Sequence, residues 1–394
     1  MKPLSEQLSK VPASATLAVN DKAKALQRAG RDIIALAGGD PDFATPEHIT
    51  EAAFTAIRNG RTHYAAPTKG IVPLLEAIAE KMSRENGVQV EAGTDIIVTP
   101  GSKWALFLAL SALLNPGDEV LILEPYWVSY PPMIHMAGGV PVPVPLPGEN
   151  NFAISAEILR ARITPRTKAI MVNSPSNPTG RVLTEEEAQA LVEVAIEADL
   201  YVITDEVYEK LIFDGRRHLS LASFPGMAER TLTTNGLSKG YAMTGWRLGW
   251  LAGPTPVIKL ATRMNGHTIT SAATFTMDAA VAALTGPQQA VEEMCESYRK
   301  RRDFMVEVLN GIPGVECASP EGAFYLLPRF PGIPTSSSIE LADLLLDEAG
   351  IAGTPGIAFG QSSEGHVRFS IATAMDELER AVERLQQVVP RLIA

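Results

Sequence analysis

The feature that most limits the possible folds is a regular alternation of short apolar runs and longer helical patterns between residues 95 and 234. The run Leu200–Thr204 is continuous and rich in β-branched residues, as expected for a strand buried on both faces. Strands that alternate with helices predict an α/β fold with a parallel, helix-covered sheet. The predicted strands are Asp95–Thr99, Glu119–Leu123, Lys168–Val172, Leu200–Thr204 and Thr231–Thr234.

The two ends of the chain follow a different pattern. After about Ala290 come a long helical segment, the hairpin-like stretch 314–327, a helix at Ser338–Glu348, the strand-like "HVRFSIA" and a final helix. This order predicts a smaller α+β domain joined by the N-terminal arm. We therefore expect an N-terminal arm and part of the small domain at residues 1–45, a large domain at 46–290 and a small C-terminal domain at 291–394.

Composition excludes several classes of partner. The 394 residues carry a formal net charge of −11, which argues against nucleic acid or an anionic membrane as partner. The longest apolar run, Trp104–Leu114, is too short to span a bilayer. Cys295 and Cys317 have no metal or redox spacing, and the first residues lack a signal pattern, so we expect a cytoplasmic protein without a metal site.

Unusual side chains follow each predicted strand. Ligands of open parallel sheets bind beyond the carboxyl ends of the strands, so these residues should converge at one edge. They supply glycine amides, an aromatic plane, an amide, a carboxylate and a lysine. The residues are Gly101, Ser102, Lys103, Trp127, Asn177, Asp205, Tyr208, Ser238 and Lys239.

Each residue alone also has a structural interpretation. Gly101 and Ser102 could form an ordinary helix cap, Trp127 could belong to the core, and Asn177 could serve a turn. Asp205 is harder to explain this way, because a carboxylate after a buried strand needs a partner and the neighbouring residues offer none. Lys239 is hardest, because a desolvated lysine near a cationic group is a usable nucleophile.

Taken together, these residues suit a planar, phosphorylated aromatic aldehyde. Lys239 would hold the aldehyde as a Schiff base, and Asp205 would keep a ring nitrogen protonated. Trp127 would stack on the ring, while Tyr208 and Asn177 would contact a phenolate oxygen. The phosphate would be bound by Ser102, the amides of the Gly101 turn, Ser238 and Arg247. Pyridoxal 5′-phosphate has all of these features.

Four segments, "NSPSNPTG", "TDEVYE", "SKGYAMTGWRLGW" and "HVRFSIAT", resemble the signatures of class I pyridoxal-phosphate aminotransferases, in particular the bacterial aspartate aminotransferase branch. The resemblance covers nearly the whole chain. It implies fold type I, with a mainly parallel seven-stranded sheet in the large domain and a smaller α+β domain. It also implies a homodimer with shared active sites.

The resemblance also assigns site residues. Lys239 matches the Schiff-base lysine, which is also the catalytic base, and Asp205 matches the partner of the ring nitrogen. Tyr64 matches the tyrosine that reaches the phosphate of the neighbouring subunit, and Gly39 lies in the substrate-binding loop. The cofactor contacts that it implies are Gly101, Ser102, Lys103, Trp127, Asn177, Asp205, Tyr208, Ser238 and Arg247. Trp127 and Asn177 would also contact the substrate.

Arg368 matches the arginine that binds the substrate α-carboxylate. A planar guanidinium can bind a carboxylate through two hydrogen bonds, which a lysine cannot do. The alternative for a strand arginine is a surface ion pair. The expected reaction moves an amino group from an amino acid to the cofactor, and then to an acceptor 2-oxo acid.

The substrate side chain is less clearly indicated. Lys103 and Thr16 match positions that help to bind an acidic side chain, which favours aspartate or glutamate with 2-oxoglutarate as one pair. Pro12 stands where the branch often carries a basic residue. The segment around His267 departs from the usual serine-rich run, so His267 could bind a side-chain group or lie near an interface.

Three other functions compete with this prediction. A decarboxylase, a lyase or a specialised biosynthetic enzyme could use the same cofactor, and so could an aromatic or aliphatic amino acid aminotransferase. A regulator with an aminotransferase-like domain would need a basic DNA-binding segment, which the sequence lacks. A nicotinamide dehydrogenase would need G-x-G-x-x-G after its first strand, and no such run occurs.

Overall fold

The structure is a computed structural model that describes residues 4–9, 11–13 and 15–393. Within these ranges, no helix is both long enough and apolar enough to cross a membrane. The strands of the described residues, β1 to β12 in chain order, are Ile34–Ala35, Ile96–Thr99, Glu119–Glu124, Val140–Pro145, Thr167–Asn173, Tyr201–Asp205, Thr231–Gly236, Gly249–Ala252, Tyr325–Leu326, Ile351–Ala352, Thr354–Pro355 and Val367–Ser370.

The α-helices of the same ranges are numbered α1 to α13. In chain order they are Glu6–Ser9, Ala15–Arg28, Glu47–Arg58, Val72–Lys81, Ser102–Leu113, Tyr130–Met136, Ala156–Arg160, Glu185–Glu197, Thr255–Thr268, Thr274–Thr285, Gln289–Asn310, Ser338–Glu348 and Met375–Ile393.

A seven-stranded sheet forms the centre of the molecule, in the order β2-β8-β7-β6-β5-β3-β4. Its neighbouring strands are parallel except where β8 pairs with β2 and β7. The mainly parallel seven-stranded sheet predicted from the sequence is therefore confirmed. All five predicted strands are present, and their ends differ from the prediction by one or two residues.

Two strands of this sheet lack the signals used to predict the others. Strand β4 has the sequence VPVPVP, and proline cannot donate a hydrogen bond to a neighbouring strand. The strand is tolerated because it lies at the edge of the sheet, where it pairs with β3 alone. Strand β8 is only four residues long and begins with a glycine.

The C-terminal part of the chain builds two smaller sheets. Strands β11, β12 and β9 form an antiparallel sheet, and β1 pairs in parallel with β10. The last helix is amphipathic, and its apolar residues at helical spacing are buried, at Leu378, Ala381, Val382, Leu385 and Val389. The pairing of β1 with β10 supports a small domain made from both chain ends, whose boundaries stay a prediction.

The hairpin expected at 314–327 forms only in part. Of this stretch only Tyr325–Leu326 becomes a strand, and it pairs with β12. The preceding residues bond elsewhere, since the Ala323 N–H donates to Leu211 and the Phe213 N–H donates to Glu321. Pro320 and Gly322 within the stretch also interrupt a regular ladder.

The central sheet brings the site together because its parallel strands end side by side. Asn173 at the end of β5 is in register with Asp205 at the end of β6, which is itself in register with Thr234 of β7. The residues that follow each strand therefore meet at one edge.

Candidate active site

A cavity of about 680 Å³ lies at this edge, between the central sheet and the C-terminal part of the chain. Its volume is within the usual range for a small-molecule site. Most of the predicted site residues line it, and they come from segments that are far apart in sequence. Those residues are Thr16, Gly39, Ser102, Lys103, Trp127, Asn177, Asp205, Tyr208, Ser238, Lys239, Arg247 and Arg368.

Three predicted residues do not line this cavity. Gly101 directly precedes Ser102, which does. Tyr64 follows α3 and is 82% exposed. His267 lies in the last turn of α9 and is exposed. Nearby, Trp104 donates a hydrogen bond of 2.8 Å to Asn265, which fixes α5 against α9 without reaching the cavity.

Lys239 lies just beyond strand β7 with its ammonium group inside the cavity. Its Nζ donates a hydrogen bond to the carbonyl of Gly39. Burial lowers the pKa of Lys239 to about 8, with Arg368 and Arg247 adding to the decrease and Asp40 opposing it. A lysine with this pKa supplies a useful fraction of neutral amine near pH 7.

Asp205 ends strand β6 and is only 6% exposed. Its carboxylate accepts a hydrogen bond of 2.9 Å from the Tyr130 hydroxyl and one of 3.4 Å from the Val207 N–H. Burial raises the pKa of Asp205 to about 6, although both hydrogen bonds oppose the increase. The side-chain partner of Asp205 is not a neighbour in sequence, because Tyr130 lies 75 positions away.

An anion-binding corner forms where helix α5 begins. The first amides of a helix have no partner within the helix, and they attract negative charge. Gly101 precedes this helix with a φ of 91°, and a Cβ at this position would lie 2.5 Å from Nη2 of Arg247. Only glycine allows the guanidinium to approach so closely. At Gly249, a Cβ would lie 2.6 Å from the Ser102 nitrogen, so β8 also requires glycine to pass the helix start.

Lys103 and Trp127 cover the opposite side of this corner. The Lys103 Nζ lies 4.8 Å from the centroid of the Trp127 ring, a favourable cation–π distance. Burial lowers the pKa of Lys103, and the nearby Arg247 adds to the decrease. The Trp127 ring meets Tyr130 edge-on at 5.5 Å, so its orientation is restrained by packing.

Arg368 on β12 is a guanidinium buried to 99% without an ion-pair partner among the described residues. It donates to Asn177 Oδ1 at 2.9 Å and to the Ala37 carbonyl at 2.7 Å, and its Nε makes no hydrogen bond. Its guanidinium lies 4.3 Å from the centroid of the Tyr325 ring. A surface ion pair, the alternative considered for this residue, is therefore wrong.

Two tyrosine hydroxyls connect Arg368 with the rest of the cavity. Tyr208 and Tyr325 share a hydrogen bond of 3.1 Å between their hydroxyl groups. A Cβ on Gly39 would lie 2.5 Å from the Tyr325 hydroxyl and 4.0 Å from Nζ of Lys239. The lysine, the glycine loop and the arginine are thus contiguous.

Sequence reasoning missed Tyr130, Tyr325, Asn173 and Asp40. Tyr325 occurs in the "EGAFY" segment, but it contacts the cavity only because β9 pairs with β12. Asn173 donates to the Asp205 carbonyl at 2.8 Å and accepts from the Asn177 amide at 2.7 Å, so it shapes the loop. Its place at the end of a predicted strand was a usable signal.

Comparisons with known proteins agree with this geometry. The family described as "Aminotransferase class I and II" matches residues 31–385. The aspartate/prephenate aminotransferase of Thermus thermophilus is 46% identical over an aligned length of 396, and the alignment covers 99% of this chain and 100% of that protein. The aromatic-amino-acid aminotransferase 2 of Thermococcus litoralis is 42% identical, covering 98% of this chain and 98% of that protein.

A solved structure of Thermus thermophilus aspartate aminotransferase with maleate superposes with a TM-score of 0.93. It is 46% identical and is matched over 98% of this chain and 100% of that chain. These matches confirm the resemblance and the fold-type prediction. The chain belongs to the class I and II aminotransferases, and it is an enzyme that acts as a transaminase.

Proposed function

We propose that the cavity binds pyridoxal 5′-phosphate and an L-amino acid, with glutamate and 2-oxoglutarate as one substrate pair and aspartate as the preferred other donor. The observation that carries this proposal is Arg368, a buried guanidinium without a carboxylate partner in the described structure. A buried cation without an anion is costly, and a substrate carboxylate would supply one. Arg368 lies next to the tyrosines that border Lys239.

The residues present suit the cofactor. The corner formed by Gly101, Ser102 and Arg247 offers helix amides, a hydroxyl and a guanidinium to a phosphate. Asp205, whose pKa is raised by burial, would gain a cationic partner in a protonated ring nitrogen. Trp127 offers an aromatic face. When bound, pyridoxal 5′-phosphate supplies an electron sink for the charge that develops at the substrate Cα.

The side chains of this chain then have distinct tasks. Lys239 would hold the cofactor through its amine, and the same amine, when neutral, would accept the proton of the substrate Cα. Arg368 fixes the α-carboxylate, so that the Cα–H bond is held near the Lys239 amine. Ionised Asp205 stabilises positive charge at the ring nitrogen. Tyr208 and Asn177, which both line the cavity, would contact the ring oxygen.

The charge of the cavity supports an acidic substrate. Its described lining includes five cationic residues, Lys24, Lys103, Lys239, Arg247 and Arg368, but only two acidic ones, Asp40 and Asp205. A bound phosphate and one α-carboxylate would neutralise part of this positive charge. A second carboxylate, on the substrate side chain, would bind Lys103 and Thr16. The buried Thr16 hydroxyl has no hydrogen-bond partner among the described residues, so we infer that it is available as a donor.

An aromatic donor is the second candidate. Leu17 and Leu106 give the cavity an apolar wall, and a similar protein from Thermococcus litoralis is named an aromatic-amino-acid aminotransferase. An aromatic side chain would pack on this wall.

We also propose a homodimer, in which Tyr64 contacts the phosphate bound by the partner subunit. This is supported by the exposed apolar side chains of Phe54, Ile57, Tyr64 and Val72 along α3 and the start of α4. The two cysteines are unpaired, which supports a reducing compartment such as the cytoplasm.

Substitution of the arginine tests the carboxylate site. Arg368→Lys keeps the charge but removes the planar pair of donors, so we expect kcat/KM for L-glutamate to fall by about a hundredfold or more. Cofactor binding, measured by absorbance, should persist. A variant with unchanged kcat/KM would refute the assigned role.

A panel of donors tests the substrate. The enzyme is mixed with 2-oxoglutarate and, separately, with aspartate, phenylalanine, tyrosine or leucine, and the 2-oxo acid products are quantified. The proposal predicts the highest kcat/KM for aspartate. Preference for phenylalanine or tyrosine would favour the second candidate, and release of CO₂ or free ammonia would indicate another reaction.

A further inference from the structure

Two adjacent arginines on α11 are buried although helix α11 lies outside the cavity. Arg301 is 8% exposed and Arg302 is 3% exposed. Each donates to a backbone carbonyl and lies near an aromatic ring. Arg301 binds one carboxylate through two nitrogens, whereas Arg302 binds Asp214 through Nη2 and Asp303 through Nε. Arg301 holds a loop of the cavity wall, whereas Arg302 binds residues away from the cavity. A comparison of the two arginines can therefore distinguish an effect on catalysis from an effect on stability alone.

Arg301 holds the loop that forms one wall of the cavity. Its Nη1 and Nη2 donate to the two carboxylate oxygens of Asp42 at 2.7 and 2.9 Å. Its Nη1 also donates to the carbonyl of Ile371, directly after β12, at 3.1 Å. The guanidinium lies beside the rings of Phe43 and Tyr298, at 5.1 and 5.3 Å from their centroids.

The loop held by this contact consists of residues 38–43, named here the Gly39 loop. The carbonyl of Gly39 accepts the hydrogen bond from Nζ of Lys239. Its neighbour Asp40 accepts a hydrogen bond of 2.5 Å from Thr244 and lines the cavity. Among the described residues, the loop is therefore hydrogen-bonded to α11 through Asp42 and to the segment that carries Lys239 through Gly39 and Asp40. Phe43 also packs edge-on against Tyr298 of α11.

Arg302 makes a similar set of contacts away from the cavity. It binds both oxygens of Asp214 at 2.9 and 2.8 Å and donates to the Pro320 carbonyl at 2.6 Å. Its guanidinium lies 5.0 Å from the Phe213 ring centroid. Neither Asp214 nor Pro320 is among the described residues that line the cavity.

We propose that Arg301 is a positioning residue for the transamination reaction: by binding Asp42 it fixes the Gly39 loop, and so the carbonyl that orients the amine of Lys239. The inference rests on the role proposed for Lys239. A two-donor guanidinium–carboxylate pair restrains both distance and orientation, which a lysine at the same position cannot do. Without the Arg301–Asp42 contact, the backbone at Lys239 would stay in position, but its amine would no longer be held in one orientation.

Loss of the Arg301–Asp42 contact should reduce turnover more than it weakens substrate binding. Arg368 keeps anchors that do not depend on Arg301, namely Asn177 and Thr354. The amine of Lys239 has the Gly39 carbonyl as its hydrogen-bond acceptor in the described structure. Small misplacements of a catalytic group can reduce rates strongly, so we expect Arg301→Lys to lower kcat by about tenfold or more. The KM for the amino acid should change much less.

The test compares two matched pairs of variants in the cofactor-loaded enzyme. Arg301→Lys and Asp42→Asn disrupt the proposed contact, while Arg302→Lys and Asp214→Asn disrupt its neighbour. For all four we measure Tm, kcat and KM for L-glutamate, and hydrogen exchange of a peptide that covers residues 38–43. Asp42 is more exposed than Arg301, so Asp42→Asn serves if Arg301→Lys does not fold.

We expect all four variants to have a lower Tm, but only Arg301→Lys and Asp42→Asn to lose kcat and to exchange faster at residues 38–43. The inference is overturned if the two pairs lose kcat equally, or if exchange of the Gly39 loop does not change. Wild-type turnover by Lys239→Ala would instead refute the proposed function itself. Failure of the proposed function and failure of the Arg301 inference can therefore be distinguished.

Discussion

The Tyr130 hydroxyl donates a hydrogen bond of 2.9 Å to the Asp205 carboxylate, in an interior where both side chains are almost completely buried. The two residues come from α6 and β6, so the contact exists only in the folded protein. It keeps the pKa of Asp205 lower than burial alone would set it, although the value is still raised to about 6. Asp205 is therefore mainly ionised at neutral pH.

Removal of this hydroxyl should change how cofactor binding depends on pH. Tyr130→Phe removes a donor that stabilises the carboxylate, so the pKa of Asp205 should rise further. A hydrogen bond to a charged group contributes about 1.5–3 kcal/mol, which corresponds to about one to two pH units. Binding that requires ionised Asp205 is lost as the pH falls, so the loss should begin at a higher pH in the variant. Titration of the apo-protein with pyridoxal 5′-phosphate between pH 5 and 8 measures this.

Tyr126→Phe is the matched control, because Tyr126 lies near Tyr130 but its hydroxyl does not bond Asp205 in the described structure. The control should bind the cofactor with the pH dependence of the wild type. An identical pH dependence in Tyr130→Phe would show that the hydrogen bond does not set the ionisation of Asp205.

The lowered pKa of Lys239 should be visible in the rate of cofactor capture. Only the neutral amine attacks an aldehyde, and burial lowers the pKa of this lysine to about 8. The capture rate of the apo-protein should therefore rise through a midpoint near pH 8. Stopped-flow absorbance between pH 6 and 10.5 measures the profile, and a midpoint near the value of a free lysine would contradict the described environment.

A buried charge cluster behind Asp205 should make stability depend on pH. His218 Nε2 donates to the Glu206 carboxylate at 2.9 Å, and Lys81 pairs with Glu209. Burial opposes the charge of His218, but Glu206 and Glu209 outweigh it and raise its pKa. Because the pKa of His218 is higher in the folded than in the unfolded state, protonation of His218 stabilises the folded protein. This contribution to the free energy of unfolding is fully present below the unfolded-state pKa of about 6.5, and it is lost as the pH rises through the folded-state pKa.

Urea unfolding of the wild type should therefore show a free energy of unfolding that decreases between about pH 6.5 and 9 by more than in His218→Gln. Equal slopes in the wild type and in His218→Gln would show that His218 is not charged in the cluster.

The shared active site can be tested by complementation between two defective subunits. In a hybrid of Lys239→Ala and Tyr64→Phe subunits, one site combines an intact lysine with an intact tyrosine from the partner. Random pairing at equal amounts makes half of the dimers hybrid, so activity should return to about a quarter of the wild-type level. Co-refolded mixtures are assayed against each variant alone, and a mixture no more active than its components would place Tyr64 outside the site of the partner.

The sheet and most of the site could be predicted because their signals are local. Five strands of the central sheet are short apolar runs, and residues at their ends or just beyond them carry the chemistry, as at Asp205 and Lys239. The strand Val140–Pro145 could not be predicted, because a strand with three prolines is tolerated only at the edge of a sheet, and its place at the edge is not visible in the sequence. Partners that depend on tertiary contact, such as Tyr130 for Asp205 and Asp42 for Arg301, left no pattern in the sequence.

The most direct test of the central claim is a single-turnover reaction of the cofactor-loaded enzyme with L-glutamate, with no acceptor present. The wild type should release about one equivalent of 2-oxoglutarate per active site and change its absorbance to that of the aminated cofactor. Lys239→Ala should still bind the cofactor but release no 2-oxoglutarate on that timescale. Release at the wild-type rate from Lys239→Ala would contradict the assignment of this lysine and of the cavity around it.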